Sequence, residues 1–578
     1  MAGKGVLMKE KLKKMIPFFV VTGLIFVILV GALAVKIIKK YTPSKERVDL
    51  ESFYGITNDN EAVLFYNDDM TSDLVRVIDG KIYMDIDEVT SNLNQRLYWD
   101  NFESILIYTT DSDVIKTYAG TKEYTVSKQK YETDYEIVKI EGQSVYVALD
   151  YVKMYTKLDY EYYENPNRLF LYTTDRELSI ANAKKDTVIR QKGGIKSPII
   201  ADVKKDEKII ILSEMEDFSR VKTESGYIGY IMNRHMDYSK DSETKNIEFT
   251  EVVYNGIKKD YDINLVFHQV TNMEANAKIW NLMENTSGVN TICPTWFQVS
   301  DTDGNIKSLA DYSYVQTAHS KGYEVWGLVS NLEIKVDMYE LLAHTTSREN
   351  LENQLISKAL ANDLDGINID FESLDSSCAT SYIQFIREMA IKCHNNGLVL
   401  SIDNYVPTES TMFYNRKEQG IVADYIIIMG YDEHWGGSSE SGSVASIGFV
   451  EDGIKNTLNE VPKEKVINAI PFYTRLWFES TDANGSVNVT SKTYGMVAAS
   501  DLINSKSNLV EWNEECGQYY GAYVDEEGTI CKMWLEDTRS IEEKMKLIEQ
   551  YEIAGVASWK LGLEDKNVWE VINRYINN

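Results

Sequence analysis

Residues 365–372 read Asp365-Gly366-Ile367-Asn368-Ile369-Asp370-Phe371-Glu372. Side chains alternate faces along a β-strand. One face of this segment carries Ile367, Ile369 and Phe371, apolar and suited to a layer of helices. The other carries Gly366, Asn368, Asp370 and Glu372. In a closed parallel barrel that second face points into an interior ordinarily packed with branched apolar side chains. Two carboxylates and an amide there are costly unless paired or functional. They also step toward the C-terminal end of the strand, where barrel active sites lie. A satisfied polar network at a barrel mouth is the structural alternative, and two buried carboxylates weigh against it.

Working outward, short apolar runs alternate with amphipathic ones. The strand candidates are Ile263–His268, Asn290–Pro294, Tyr323–Val329, Asp365–Phe371, Leu398–Asp403, Asp424–Gly430, Val466–Pro471 and Ala554–Trp559. Between the fourth and fifth, apolar residues of Tyr382–Ala390 recur at helical spacing, and Asn395-Asn396-Gly397 ends the helix. Eight β/α units over 245–578 predict a C-terminal (β/α)8 TIM barrel. An α+β insertion, about 477–535, separates the last two strands. It contains a hairpin, Tyr519–Asp525 with Thr529–Leu535, turning at Glu526-Glu527-Gly528.

The rest of the chain makes the protein multidomain. At roughly 100–200 residues per domain, 578 residues predict several folded units. The hydrophobic fraction of 44% excludes global disorder. The 60 Lys+Arg against 89 Asp+Glu give a net charge of −29, which argues against nucleic acid as a partner. Five scattered Cys form no disulfide framework, and six His show no zinc spacing, so no metal and no cofactor is expected.

Residues 1–47 hold ten Lys/Arg and two acids, while the remainder is strongly acidic. Within this basic foot, Ile16 to Val35 runs without a formal charge, long enough at 1.5 Å per residue to cross about 30 Å of hydrocarbon. Residues 1–48 are therefore read as a basic tail, transmembrane helix and linker, the body exported and held at the cell membrane by a single pass. The alternative is a secreted protein whose signal peptide is cleaved at Ala32-Leu33-Ala34.

Residues 49–177 contain a near-repeat. Ile78-Asp79-Gly80-Lys81-Ile82-Tyr83 returns as Ile140-Glu141-Gly142-Gln143-Ser144-Val145-Tyr146, and each copy later ends in Tyr-Thr-Thr-Asp, at 108–111 and 172–175. Each copy reads as hairpin, short helix (Asp85–Leu93, Ala148–Tyr155), hairpin, making an α+β repeat module. Residues 178–240 read as five or six short strands, with Ile209–Leu212 expected to be buried on both faces.

Three resemblances follow from these motifs. The repeat module resembles the copper amine oxidase N-terminal domain. With no His or Cys in 49–177, a copper site is not expected. Phe218–Tyr230, turning at Glu224-Ser225-Gly226, resembles a bacterial SH3-like β-barrel, which implies wall peptide or glycan binding. Residues 245–578 resemble family 18 glycoside hydrolases, the chitinase-like enzymes, whose strand pattern is D-x-x-D-x-D-x-E. Asp365, Asp370 and Glu372 match it, and Asn368 replaces the second Asp, as is common in the subgroup that lyses spore cortex or peptidoglycan. Met429-Gly430-Tyr431-Asp432, Pro471-Phe472-Tyr473-Thr474-Arg475-Leu476-Trp477 and Gly555-Val556-Ala557-Ser558-Trp559 match later motifs in order.

The resemblance implies substrate-assisted hydrolysis, the substrate's own 2-acetamido oxygen acting as nucleophile. Glu372 is then general acid and base. Asp370 shares a proton with it, raises its pKa and orients the acetamido N–H, and Asn368 supports Asp370 by hydrogen bonding. Tyr431 holds the acetamido carbonyl. Met429, Asp432, Tyr473 and Arg475 line the substrate pocket, and Trp559 floors it. The implied partner is a cell-wall glycan, peptidoglycan or a chitin-like polymer. A chitin-oligosaccharide hydrolase and a non-catalytic glycan-binding protein are the alternatives.

Overall fold

The computed structural model describes residues 3–481 and 485–576. The chain forms two compact units, one of residues 1–89 with 141–251 and one of 90–140 with 252–578.

The first unit begins with the helix Gly3–Tyr41. Its stretch Lys9–Tyr41 is long and apolar enough to cross a membrane by length and composition, and its Phe18, Leu24, Phe26 and Ile28 are exposed. One mixed sheet of this unit places Asp159–Tyr163, Arg168–Tyr172, Glu61–Tyr66, Asp69–Ile78, Lys81–Asp85 and Ser144–Ala148 side by side in that order. Its core includes Phe65 stacked on Phe170, 4.4 Å between ring centres. Asp79 and Gly80 both take positive φ in the tight turn of the first repeat hairpin, the geometry a two-residue antiparallel connection requires. Helices Ile86–Asn92 and Leu149–Met154 follow the two repeat hairpins.

A second, antiparallel sheet of seven strands spans Arg176–Lys245. Gly226, at φ 71°, turns Phe218–Thr223 into Ile228–Met232. Two expectations are corrected here. Only Ile209 of Ile209–Leu212 is buried, the other three being half-buried. The strand packs its core on one face only, as antiparallel strands commonly do, and a register shift between Ile211 and Ser213 turns its end outward. The last strand also runs past residue 240, to Lys245.

The second unit is a barrel with an added sheet. Its strands are β1 (Ile263–His268), β2 (Thr291–Val299), β3 (Glu324–Ser330), β4 (Gly366–Asp370), β5 (Val399–Tyr405), β6 (Tyr425–Met429), β7 (Val466–Pro471) and β8 (Gly555–Trp559). All neighbours pair in parallel, and β8 pairs with β1 to close the ring. Each strand lies within a few residues of its expected span. Ile263, Leu265, Phe267, Cys293, Trp326, Leu328, Ile427, Ile467 and Ala557 pack the interior. Ile367, Ile369 and Phe371 pack outward against Tyr382, Phe385, Ile386 and Met389 of the helix Ala379–His394. Gly366 is small because a Cβ there would meet Trp326 Cδ1 and the Val399 carbonyl oxygen, each at 2.9 Å. Between β7 and β8 a five-stranded antiparallel sheet with helix Met496–Lys506 forms the insertion.

The stretch read as one repeat module, 49–177, is divided. Tyr98–Asp100, Ile105–Thr109, Val114–Tyr118, Glu123–Val126 and Gln129–Glu132 form their own antiparallel sheet within the barrel's unit. Specific contacts hold it there. The helix Thr345–Ala361 begins at His344, which gives no side-chain cap. The orphan amides at that end are met from the sheet: Thr345 N donates to Asp100 Oδ2 and Thr346 N to Glu103 Oε1, both at 2.8 Å. Their negative charge suits a helix N-terminus. Arg96 and Arg387 converge on buried Glu418, at 2.9 and 2.7 Å. Buried Arg348 pairs with Glu388 at 2.9 Å and donates to Tyr98 Oη at 3.3 Å.

Candidate active site

The site gathers at the C-terminal end of β4. Backbone pairing sets Ser330 of β3 beside Asp370 and Ser401 of β5 beside Asn368. Continuing that register puts Asp403 level with Asp370 on the next strand, facing the same interior. Asp370 is 8% and Asp403 4% exposed. Asn368 is fully buried and donates Nδ2 to Ser401 Oγ at 3.0 Å and to Asp403 Oδ1 at 2.9 Å. The expected support of Asp370 by Asn368 is corrected accordingly: the amide turns sideways to β5, and Asp370 Oδ1 is buried with no protein partner. A neighbouring strand is about 4.8 Å away, closer than a residue two further along the same strand, so the amide reaches across.

Glu372 follows β4 and is half-buried. Its backbone is clamped: the peptide N donates to Asn331 Oδ1, and Asn331 Nδ2 donates to the Glu372 carbonyl, both at 2.9 Å. Ser373, at φ 54°, donates its N to Tyr405 Oη at 3.1 Å. Tyr414 Oη receives the Leu374 N–H and donates to the Phe371 carbonyl, both at 3.3 Å. Three side chains from the ends of β3, β5 and the loop beyond thus fix the turn that aims Glu372.

Burial raises the Glu372 carboxyl above the ordinary carboxylate range. A hydrogen bond from Tyr405 offsets part of this, and Asp432 and Glu333 add to it. Burial is the main cause of the Glu372 shift, and the like charges of Asp370 and Glu372 act on one another. Asp370 is raised by burial, then by Asp403, Glu372 and Glu333. Burial also lifts Asp403, to about 8, against the pull of Asn368. Three carboxyls that favour their protonated forms therefore stand together, an arrangement suited to delivering and reclaiming a proton.

Tyr431 closes one side. Burial raises its hydroxyl, with Asp403, Tyr473, Asp370 and Glu372 contributing, and its ring meets Tyr473 edge-on at 6.3 Å. Tyr473 Oη donates to Asp432 Oδ1 at 2.6 Å. Arg475 stands 4.0 Å from Asp432 and donates to Ser491 of the insertion at 3.2 Å. Met429, at the end of β6, is half-buried. Trp559 ends β8 half-buried, its ring 5.3 Å from Phe267. Asp403, Tyr405, Tyr414 and Asn331 were not anticipated. Ser401, Asp403 and Tyr405 alternate along β5, and it is the register of β5 beside β4 that brings them to the site.

The family model described as "Glycosyl hydrolases family 18" matches residues 253–564, and that of the "Copper amine oxidase N-terminal domain" matches 67–171. The "Uncharacterized glycosylase YvbX" of Bacillus subtilis is 26% identical over 293 residues, 47% of this chain and 81% of that protein. The "Cortical fragment-lytic enzyme" of the same organism is 26% identical over 260 residues, 43% of this chain. The chain spans 59% of that relative's length. A solved C-terminal domain of a "putative chitinase" from Desulfitobacterium hafniense has 22% identity and a TM-score of 0.49, covering 55% of this chain and 99% of that one. With the family model covering more than half of its residues, the chain belongs to glycosyl hydrolases family 18 and is a glycoside hydrolase.

Proposed function

We propose that the chain is a membrane-anchored, extracytoplasmic enzyme that cleaves β-1,4 bonds after N-acetylglucosamine with retention, and that peptidoglycan is its substrate. The observation that carries the reading is Glu372, clamped at the mouth of the barrel with its proton held by burial. It protonates the leaving oxygen and later deprotonates water. With the acetamido oxygen as nucleophile, a single proton shuttle suffices. Asp370 accepts the acetamido N–H, and Tyr431 donates to its carbonyl. Met429, Asp432, Tyr473 and Arg475 line the sugar's surroundings, and Trp559 offers an apolar face.

The substrate class draws on the relative named for lysis of cortical fragments, on the apolar helix Gly3–Tyr41 that would tether the enzyme beside a wall, and on the sheet of Arg176–Lys245, read as an SH3-like wall-binding module. The experiment is release of reducing ends from purified peptidoglycan and from chitooligosaccharides by the unmodified chain and Glu372→Gln, with products weighed by mass spectrometry. A loss of at least about a hundred-fold is expected for Glu372→Gln. Equal rates in the two proteins would overturn the assignment, and cleavage confined to chitooligosaccharides would replace the substrate.

A further inference from the structure

Two buried carboxyls on adjacent strands need an explanation beyond Glu372. Asp370 and Asp403 lie level on β4 and β5, and neither is ion-paired to Lys or Arg among the described residues. Glu372 and Glu333 beyond β3 act on the pair, and the pair in turn raises Cys293 of β2, Tyr382 and Tyr414 of the outer layer, and Tyr431 beyond β6. None of these is a cation. Two like charges this close and this buried do not both ionise, so the pair retains one proton.

Asn368 makes the pair asymmetric. An amide NH₂ only donates. Its bond to Asp403 Oδ1 at 2.9 Å keeps that oxygen an acceptor, so a proton on Asp403 sits on Oδ2. Asp370 Oδ1 has no protein partner at all, as befits a group that exchanges partners.

We propose that Asp403 supplies from β5 the carboxyl that Asn368 lacks on β4, and that it takes and returns the proton of Asp370. Before substrate binds, the pair's one proton is on Asp370 and Asp403 is the carboxylate. When Asp370 accepts the substrate's acetamido N–H it must be ionised, and its proton moves to Asp403 Oδ2. The transfer conserves the single proton and the single negative charge of the pair, and it reverses when product leaves. Asp403 acts through its neighbour Asp370 rather than on substrate, so it is a positioning residue. The inference rests on the substrate-assisted reading above.

The test uses the full chain with an aryl chitobioside and with purified peptidoglycan, on whichever the unmodified chain turns over. Asp403→Asn keeps shape and removes the proton site. Its kcat should fall about a hundred-fold, the low end of a proton-transfer contribution, with KM little changed. The acid limb of its pH profile should move to lower pH, because the charge that raises Asp370 is gone. The exchange Asn368→Asp with Asp403→Asn keeps one amide and one carboxyl beside Asp370, and should recover at least tenfold of that loss. Thermal melts of both proteins accompany the assays, and if Asp403→Asn does not fold, the exchanged pair decides alone: activity within tenfold of the unmodified chain supports the proposal, and a thousand-fold loss in a folded protein overturns it. A kcat within threefold and an unmoved profile in Asp403→Asn would also overturn it. Glu372→Gln measured alongside separates the two ideas: if it is inactive while Asp403→Asn is unaffected, only this inference falls, and if it stays active the reading of the reaction falls.

Discussion

At the residue scale, the hydrogen bond between Tyr405 and Glu372 sets a measurable balance. That bond favours the charged carboxylate, while burial favours the acid, and burial prevails. In the role proposed for it, Glu372 must carry its proton, so kcat/KM should hold above the ordinary Glu value of about 4.3 and fall as pH rises through the raised value. Tyr405→Phe removes the one contribution that favours ionisation. Glu372 then keeps its proton to higher pH, and the alkaline limb should shift upward while kcat drops, because Ser373 N–H loses its acceptor. A pH–rate profile of the variant checks this, and a downward shift would contradict it. Much of this site was legible beforehand, because Asn368, Asp370 and Glu372 break an apolar alternation in a single strand. Asp403 and Tyr405 were not, since their strand is an ordinary polar-ended run until its register beside β4 is known. Asn331 was hidden more deeply: it acts through a loop backbone, which no periodicity marks.

At the scale of elements, the barrel was readable because each strand is a short apolar run between helical ones, and period alone separates them. The fate of residues 90–140 was not readable from the repeat. Both copies carry the same local pattern of hairpin, helix and hairpin. The second hairpin of one copy, Asp159–Tyr163 with Arg168–Tyr172, joins the mixed sheet, while Tyr98–Asp100 with Ile105–Thr109 starts a separate one. Which sheet a hairpin joins is decided by distant partners such as Glu418 and Thr345. The buried pair Arg348–Glu388 between the helices Thr345–Ala361 and Ala379–His394 gives this a cost. Burial alone would raise Glu388, yet the guanidinium overrides it and holds the carboxyl down to about 2. Arg348→Ala leaves that charge buried and alone, and should lower unfolding free energy by about 3–5 kcal/mol, read by urea denaturation. Since Glu388 is held below its unfolded value, its stabilisation is present above about pH 4.3 and is lost as pH falls toward 2. The variant should therefore lie furthest from the unmodified chain near neutrality and approach it in acid.

At the scale of the whole molecule, chain order and compact units disagree, and that has a consequence for how the enzyme is cut. The family model begins at residue 253, which invites a catalytic fragment of 252–578. Such a fragment omits Asp100 and Glu103, which meet the first amides of the helix Thr345–Ala361, and Arg96, one of two arginines on buried Glu418. Loss of a helix cap costs about 1 kcal/mol, and a buried carboxylate stripped of a partner costs more. The fragment 252–578 should therefore unfold at lower urea than 42–578, with a deficit of at least about 2 kcal/mol. Asp100→Ala within 42–578 should reproduce about 1 kcal/mol of it. The distance from Arg348 and Glu418 to Glu372 runs through the helices that back β4 and β5, so a loosened unit should also lose kcat more than it gains in KM. Matching urea midpoints for the two fragments would mean that residues 90–140 merely lie against the barrel and that the enzyme's unit begins where the family model does.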